Sequence, residues 1–292
     1  MNLAILGANS LIGSDFVDHL NGNEFKLFLF SRIKNKDHLA YDKFNNNKYD
    51  VIINFIGAGD PKKIIKEKNT FFDTSNFYDD LIISYLRKNK KCKLISISSG
   101  SVLSNFNDPV NKISKTSLNL NDLYKESNSY ALTKIYLEIK HRLLNDLNII
   151  DLRVFNYVSC NLKTSSSFFV ADIMKCLRDN EQLICSPNEF YRDYIGPKDF
   201  SEILKCIIFS KEKNNVFDAY SKEPISSHNL LTHLKQEFGL NYKFSDDFFH
   251  INATGSKSNY LSKNYSLSSL GYEPEFSSLE SISMELKKFL GS

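Results

Sequence analysis

A short apolar run, Asn2 to Leu6, ends at a glycine and leads within a few residues into an amphipathic stretch carrying Phe16, Val17 and Leu20. Between them stands Gly7-Ala8-Asn9-Ser10-Leu11-Ile12-Gly13. A strand that turns through glycine directly into a helix is the opening unit of a parallel α/β sheet, and no other segment restricts the fold as tightly. Gly7 permits the tight turn, and Gly13 permits close packing of helix on strand. The first N–H groups of the helix have no carbonyl partner inside it, so they can receive a pyrophosphate. Gly7, Asn9, Ser10, Leu11, Ile12 and Gly13 are therefore candidates for holding a dinucleotide. Ser10 replaces the middle glycine of the usual pattern, which leaves a plain strand–turn–helix as the alternative.

The alternation continues. Phe25 to Phe30 reads as a second strand and ends in Ser31-Arg32. An NAD site places an acid here for the ribose 2′-hydroxyl, whereas an arginine can pair with a 2′-phosphate. No acid is present, so Ser31 and Arg32 favour NADP(H) over NAD(H); the alternative is a solvated loop arginine. A third strand, Asp50 to Ile56, closes with Asn54-Phe55-Ile56-Gly57-Ala58-Gly59, and Asn54, Gly57, Ala58 and Gly59 would let a cofactor approach the backbone. A helix is expected over Phe71 to Lys88. A buried strand starts at Lys93 to Ser96 and ends in Ser98-Ser99-Gly100-Ser101. Repeated strand–helix alternation predicts an α/β fold with a doubly wound parallel sheet of Rossmann type. Ligands then bind beyond the carboxyl ends of the strands, where Gly7, Arg32, Gly57 and Ser99 gather.

Tyr130-Ala131-Leu132-Thr133-Lys134 opens a helical run to Asn145. Residues four apart lie on one helix face. An ammonium beside a phenol favours the phenolate, so Lys134 is expected to lower the Tyr130 pKa and make the phenol a usable proton donor and acceptor. In a chain with 15 Tyr, this spacing also arises by chance, as at Tyr136/Lys140 and Tyr194/Lys198. Tyr194 precedes Ile-Gly-Pro and is not helical. Tyr136 faces away from Tyr130 and reads as packing, with Lys140 a solvated charge. Only Tyr130 follows a long polar stretch, Asn105 to Asn128, which is expected to cover a substrate.

Charge is balanced, at a formal net +3, and its interspersed signs do not suggest nucleic acid. Five scattered cysteines without a C-x-x-C suggest reduced, mostly buried thiols and a cytoplasmic protein. Neither a secretory leader nor an apolar run of membrane-spanning length is expected. The histidines show no metal spacing, His228 and His233 read as a solvated helix face, and Asp246-Asp247 reads as a surface loop; no metal site is expected.

Past Tyr130, the strand Ile149 to Phe155 carries Arg153, as readily a structural ion pair as a ligand contact, and ends at Asn156. The remaining expectations are helices at Phe168–Leu177, Lys198–Phe209, Ser226–Phe238 and Leu279–Leu290, with short strands at Tyr191–Ile195 and Val216–Ala219. Residues 245–265 are polar and show no readable period. The division expected is a dinucleotide-binding domain over 1–157, with 191–219 returning to it, and a smaller substrate lobe made mostly of 158–292.

Taken in order, these segments resemble the extended short-chain dehydrogenase/reductases, the nucleotide-sugar epimerases, dehydratases and 4-ketoreductases. Gly7-x-x-Ser10-x-x-Gly13, Ser98-Ser99-Gly100-Ser101-Val102, the Tyr130/Lys134 pair, Leu152-Arg153-Val154-Phe155-Asn156, Arg192-Asp193-Tyr194-Ile195 with Asp199, and Leu270-Gly271-Tyr272-x-Pro274 carry the resemblance. It implies Ser99, Tyr130 and Lys134 as the catalytic group, and Ser101, Asn156 and Arg192 as contacts to a nucleotide sugar, Arg192 at its phosphates. It also implies a homodimer through the helix of Tyr130. The 4,6-dehydratases carry Asp-Glu after the catalytic hydroxyl; here Gly100-Ser101 stands there, so dehydration lacks its acid–base pair. The expected activity is NADPH-dependent reduction of a nucleotide-linked 4-keto sugar. The alternatives are a 4-epimerase that retains NAD and a non-catalytic dinucleotide sensor.

Overall fold

The computed structural model describes residues 1–20, 24–32, 37–57, 68–103, 129–246 and 258–291. The expected covering loop, Asn105 to Asn128, and the candidates Ala58 and Gly59 lie outside the described residues.

The first half alternates β1 (Asn2–Leu6), α1 (Leu11–Asp18), β2 (Lys26–Phe30), β3 (His38–Leu39), β4 (Val51–Asn54), α2 (Lys68–Lys88), β5 (Lys93–Ser99), α3 (Ser129–Leu143) and β6 (Ile149–Val154). With β11 (Asn214–Asp218), the strands form a seven-stranded parallel sheet in the order β11-β6-β5-β4-β1-β2-β3. The doubly wound parallel sheet is thus the observed fold. β3 was not expected; two residues carry no readable alternation, and the strand exists only because Leu29 and Phe30 pair with His38 and Leu39.

Alternation along β1 explains the two layers around the sheet. Leu3 and Ile5 pack on one face with Phe16 of α1 and with Phe200, Ile203, Leu204 and Ile207 of a later helix. Ala4 and Leu6 face the opposite layer, with Ile82, Ile83 and Leu86 of α2. Each fully buried side chain of this size contributes about 1.5–3 kcal/mol from burial. β5 runs to Ser99, inside the serine segment where the strand was expected to end, because Ser98 and Ser99 pair with Arg153 and Val154.

After β6 come β7 (Asn156–Tyr157), α4 (Phe169–Asp179), β8 (Leu183–Cys185), β9 (Tyr191–Arg192), β10 (Tyr194–Ile195) and α5 (Pro197–Phe209). Beyond β11 lie β12 (Ile225–Ser226), α6 (Ser227–Phe238), β13 (Tyr242–Phe244), β14 (Asn259–Tyr260) and α7 (Ser278–Gly291). Small sheets β10-β7, β12-β9-β14 and β13-β8 assemble here. Their core unites Val170, Ile173 and Met174 of α4 with Leu230, Leu231 and Leu234 of α6 and Ile282 and Leu286 of α7. Ser226 caps α6 by accepting from the Asn229 N–H, and Gly239 at φ +71° ends it, as the serine and glycine imply. Among the described residues no helix is long and apolar enough to cross a membrane.

Candidate active site

The turn after β1 uses its glycines as the sequence implied. Gly7 has φ +74°, and a Cβ there would lie 3.0 Å from the Phe55 carbonyl carbon. A Cβ on Gly13 would lie 2.6 Å from the Gly7 carbonyl oxygen. Ser10 caps α1: its Oγ accepts the Gly13 N–H at 3.1 Å. The serine therefore satisfies one orphan donor, and the first-turn N–H groups of Leu11 and Ile12 remain without a carbonyl four residues back. Asn9 Nδ2 donates to Ser31 Oγ at 3.0 Å, and His38 Nδ1 lies 3.1 Å from the same oxygen. Arg32 beside them is exposed. Asn54 Oδ1 accepts the Ile56 N–H at 3.0 Å, which shapes the end of β4. Gly57 faces Lys134: a Cβ there would come 3.4 Å from its Nζ. A glycine-lined cradle, open helix N–H groups and a cation past β2 fit a dinucleotide.

Ser99 ends β5, and Tyr130 and Lys134 lie in the first turns of α3. The three sequence candidates come together. Lys134 Nζ donates to the Ile97 carbonyl at 2.8 Å and sits 5.9 Å from the centre of the Tyr130 ring. Phe71 packs on that ring at 5.4 Å. The electrostatic expectation needs correction. Burial raises the Tyr130 pKa, and its hydrogen bond with Ser99 offsets this only in part. Burial is the larger influence, and Lys134, which donates to the Ile97 carbonyl, does not reverse the shift. Burial also pushes Lys134 itself down to about 8, against the pull of Asp151, Glu138 and Asp79. In the free protein the phenol is therefore a proton donor, not a phenolate.

A buried charged network holds α3 to the sheet. Arg153 reaches Glu138, one turn past Lys134, with Nη2 to Oε2 at 2.6 Å, and Ser98 Oγ donates to the same carboxylate at 2.5 Å. Arg153 Nη1 lies 3.5 Å from Asp218 Oδ1, and Ser262 Oγ donates to Asp218 Oδ2 at 2.6 Å. Arg153 is thus an internal ion pair. His141 lies between Asp151 and Asp79, at 2.8 Å from each. Burial opposes its charge, yet the two carboxylates outweigh it and push His141 up to about 10. Lys140 is not the solvated charge expected: its Nζ pairs with Asp79 at 2.6 Å and Asp80 at 2.7 Å. His233 likewise pairs with Glu237, and His228 Nε2 lies 3.1 Å from the Pro187 carbonyl oxygen.

The three candidate substrate contacts divide. Ser101 Oγ is buried without a hydrogen-bond partner among the described residues, as a group awaiting a ligand would be. Asn156 Nδ2 donates to the carbonyls of Asp193 at 3.0 Å and Tyr260 at 3.4 Å, so it joins β7 to the lobe. Arg192 Nη1 donates to the Tyr191 carbonyl at 2.8 Å, and its guanidinium covers the Phe190 ring at 4.4 Å. One site residue escaped the sequence altogether. Tyr260 of β14 brings its hydroxyl to 3.2 Å from Ser99 Oγ. It lies in the polar 245–265 stretch, and no local pattern marks it.

A search of curated proteins finds no significant match. Solved structures share the fold at low identity. Thermotoga maritima UDP-glucose 4-epimerase with UDP-glucose has a TM-score of 0.80 at 18% identity, covering 99% of this chain and 98% of that one. RMD from Pseudomonas aeruginosa with NADPH has a TM-score of 0.77 at 15% identity, covering 100% and 99%. The dTDP-glucose 4,6-dehydratase of Bacillus anthracis with NAD has a TM-score of 0.79 at 12% identity, covering 100% and 97%. The model of the NAD dependent epimerase/dehydratase family matches residues 3–221, which include the glycine turn, Ser99, Tyr130 and Lys134. The chain belongs to the NAD dependent epimerase/dehydratase family.

Proposed function

We propose that this protein reduces a nucleotide-linked 4-keto sugar, a 4-keto-6-deoxyhexose in the first instance, at the expense of NADPH. The observation that carries the reading is the cluster of Ser99, Tyr130 and Lys134 with no carboxylate at the two positions after Ser99. Those positions hold Gly100 and Ser101, and a Cβ on Gly100 would clash with the Phe155 ring. The acid pair needed to remove water has neither the residues nor, at position 100, the space. Arg32 at the end of β2, with Ser31 and no acid, supports NADP(H) over NAD(H).

When bound, the dinucleotide supplies the hydride. The rest falls to the chain. As the carbonyl carbon gains hydride, its π electrons pass to oxygen, and Tyr130 transfers the phenol proton to that oxygen. Ser99 steadies the developing negative charge through a preorganised hydrogen bond. Lys134, which donates to the Ile97 carbonyl beside the Tyr130 ring, holds the nicotinamide ribose. Ser101, with its unpartnered hydroxyl, contacts the sugar; the Asn156 Nδ2 is bonded within the chain, which leaves its amide oxygen for the sugar, and Arg192 faces the diphosphate with guanidinium nitrogens other than the Nη1 held by the Tyr191 carbonyl. This assigns dinucleotide binding to residues 1–157 with 191–219, and the substrate lobe mostly to 158–292. Five free cysteines support a reducing, cytoplasmic setting. An exposed stripe of Phe72, Tyr136, Ile139 and Leu143 on α2 and α3 supports a second copy of the chain as partner.

The test is turnover of purified protein with NADPH and nucleotide-linked 4-keto-6-deoxy sugars. One NADPH oxidised per sugar reduced is expected. A protein that carries NAD(H) through gel filtration and interconverts sugars without net oxidation would be an epimerase instead. Replacing Tyr130 by phenylalanine should cut turnover by about 10²–10⁴ while NADPH still binds; unchanged turnover would take Tyr130 out of the reaction, and a native protein that binds NADPH without turnover would be a sensor.

A further inference from the structure

A serine hydroxyl has one proton and two lone pairs. At Ser99 the Ser101 N–H already donates to Oγ, at 3.2 Å. Two phenols then face the same oxygen. The Tyr260 hydroxyl is at 3.2 Å, and the Tyr130 phenol lies near enough for the Ser99 hydroxyl to favour its phenolate. Only one of them can receive the single Ser99 proton at a time.

Tyr260 is held in that place from several directions. Its ring packs on Phe155 at 5.2 Å, and Asn156 donates to its carbonyl at 3.4 Å. β14 runs alongside β9, with Tyr260 opposite Arg192. Two residues further on, Ser262 is tied to Asp218 at 2.6 Å. From Asp218 the buried chain runs through Arg153 and Glu138 to Ser98, the neighbour of Ser99. The circuit therefore closes on itself: one ionic network fixes both the strand end that carries Ser99 and the strand that carries Tyr260.

We propose, resting on the catalytic reading of Ser99 and Tyr130, that Tyr260 is a positioning residue whose hydroxyl competes with Tyr130 for the Ser99 proton and holds the site at rest until a substrate oxygen displaces it. With Ser99 turned to Tyr260, Tyr130 keeps its own proton and remains a neutral acid. A keto oxygen arriving beside Ser99 takes the hydrogen bond that Tyr260 held. Protons are redirected and none is lost from the protein. Among the described residues, Tyr260 of β14 feels Tyr130 of α3 and Arg192 of β9, while Lys134 of α3 feels Asp151 of β6, Glu138 of α3 and Asp79 of α2. Of these groups, Tyr260 lies within hydrogen-bond distance of Ser99.

The test needs no substrate. Phenolate absorbance after stopped-flow pH jumps is recorded for the native chain and for Y260F, each against its Y130F counterpart, so that the difference isolates Tyr130. Y260F keeps the ring on Phe155 and removes one oxygen. It should lower the Tyr130 midpoint by about 0.5–1 pH unit, the worth of one ordinary hydrogen bond. In an S99A background the same change should have no effect. Should Y260F fail to fold, S262A, which frees β14 from Asp218, should move the midpoint in the same direction. An unchanged midpoint in the folded variant, or an equal shift without the Ser99 hydroxyl, overturns the role of Tyr260. If the native protein turns over no keto sugar, the reductase reading fails separately, and the titration still decides the Ser99 competition.

Discussion

Arg153 and Glu138 form a two-pronged ion pair inside the protein, Nη2 to Oε2 at 2.6 Å and Nε to Oε1 at 3.0 Å, one helical turn beyond Lys134. Removing one partner leaves a buried charge uncompensated. Replacing Arg153 by methionine should cost about 3–5 kcal/mol of stability, because Glu138 and Asp218 both lose their cation. Glu138→Gln keeps an acceptor for Arg153 and should cost less. Urea unfolding of the two variants at pH 7 compares them; equal, small losses would show that the network bears little of the load.

Lys134 sets an alkaline limit. Its pKa is depressed to about 8, chiefly by burial, so its ammonium is complete below that pH and disappears above it. Reductase kcat/KM should therefore fall as pH rises through about 8, in step with loss of that charge. Lys134→Met should lower the rate and remove this limb. A profile that stays flat to pH 10 in the native protein would take Lys134 out of the reaction.

Arg32 decides between cofactors. A charge-assisted pair with a 2′-phosphate contributes about 1.5–3 kcal/mol, or about 10–100-fold in affinity. Arg32→Ala should weaken NADPH by that factor and leave NADH within about twofold. Calorimetric titration of both cofactors measures the difference. Equal weakening of the two would place Arg32 away from the 2′ position.

His141 makes stability pH-dependent. Its pKa is raised from 6.5 to about 10, with Asp151 and Asp79 overcoming the burial cost. The contribution is present in full below pH 6.5 and is lost as pH rises through about 10. Native stability should thus decline between pH 7 and 10, and His141→Ala should be less stable at pH 7 by about 3–5 kcal/mol, with a flatter pH dependence. Urea midpoints across that range provide the check. A variant that keeps the native slope would locate the effect elsewhere.

The elements that the sequence alone determined are those with a local cause. The turn at Gly7, the packing at Gly13 and the alternation of strand and helix follow from glycine geometry and apolar period, within a few residues of each other. Tyr130 and Lys134 share a face of α3 because a helix places residues four apart together. Tertiary structure decided what those groups experience. Spacing brought Lys134 beneath Tyr130, but whether the phenol is raised or lowered depended on burial, which outweighs the Ser99 hydrogen bond. His141 became a cation because Asp79 reached it from another helix, 62 residues away in the chain. Tyr260 reached Ser99 across 161 residues, in a stretch whose own composition says nothing. Pattern along the chain records which face a residue takes, whereas a partner, a proton's direction and the sign of a pKa shift depend on which surfaces packing brings together.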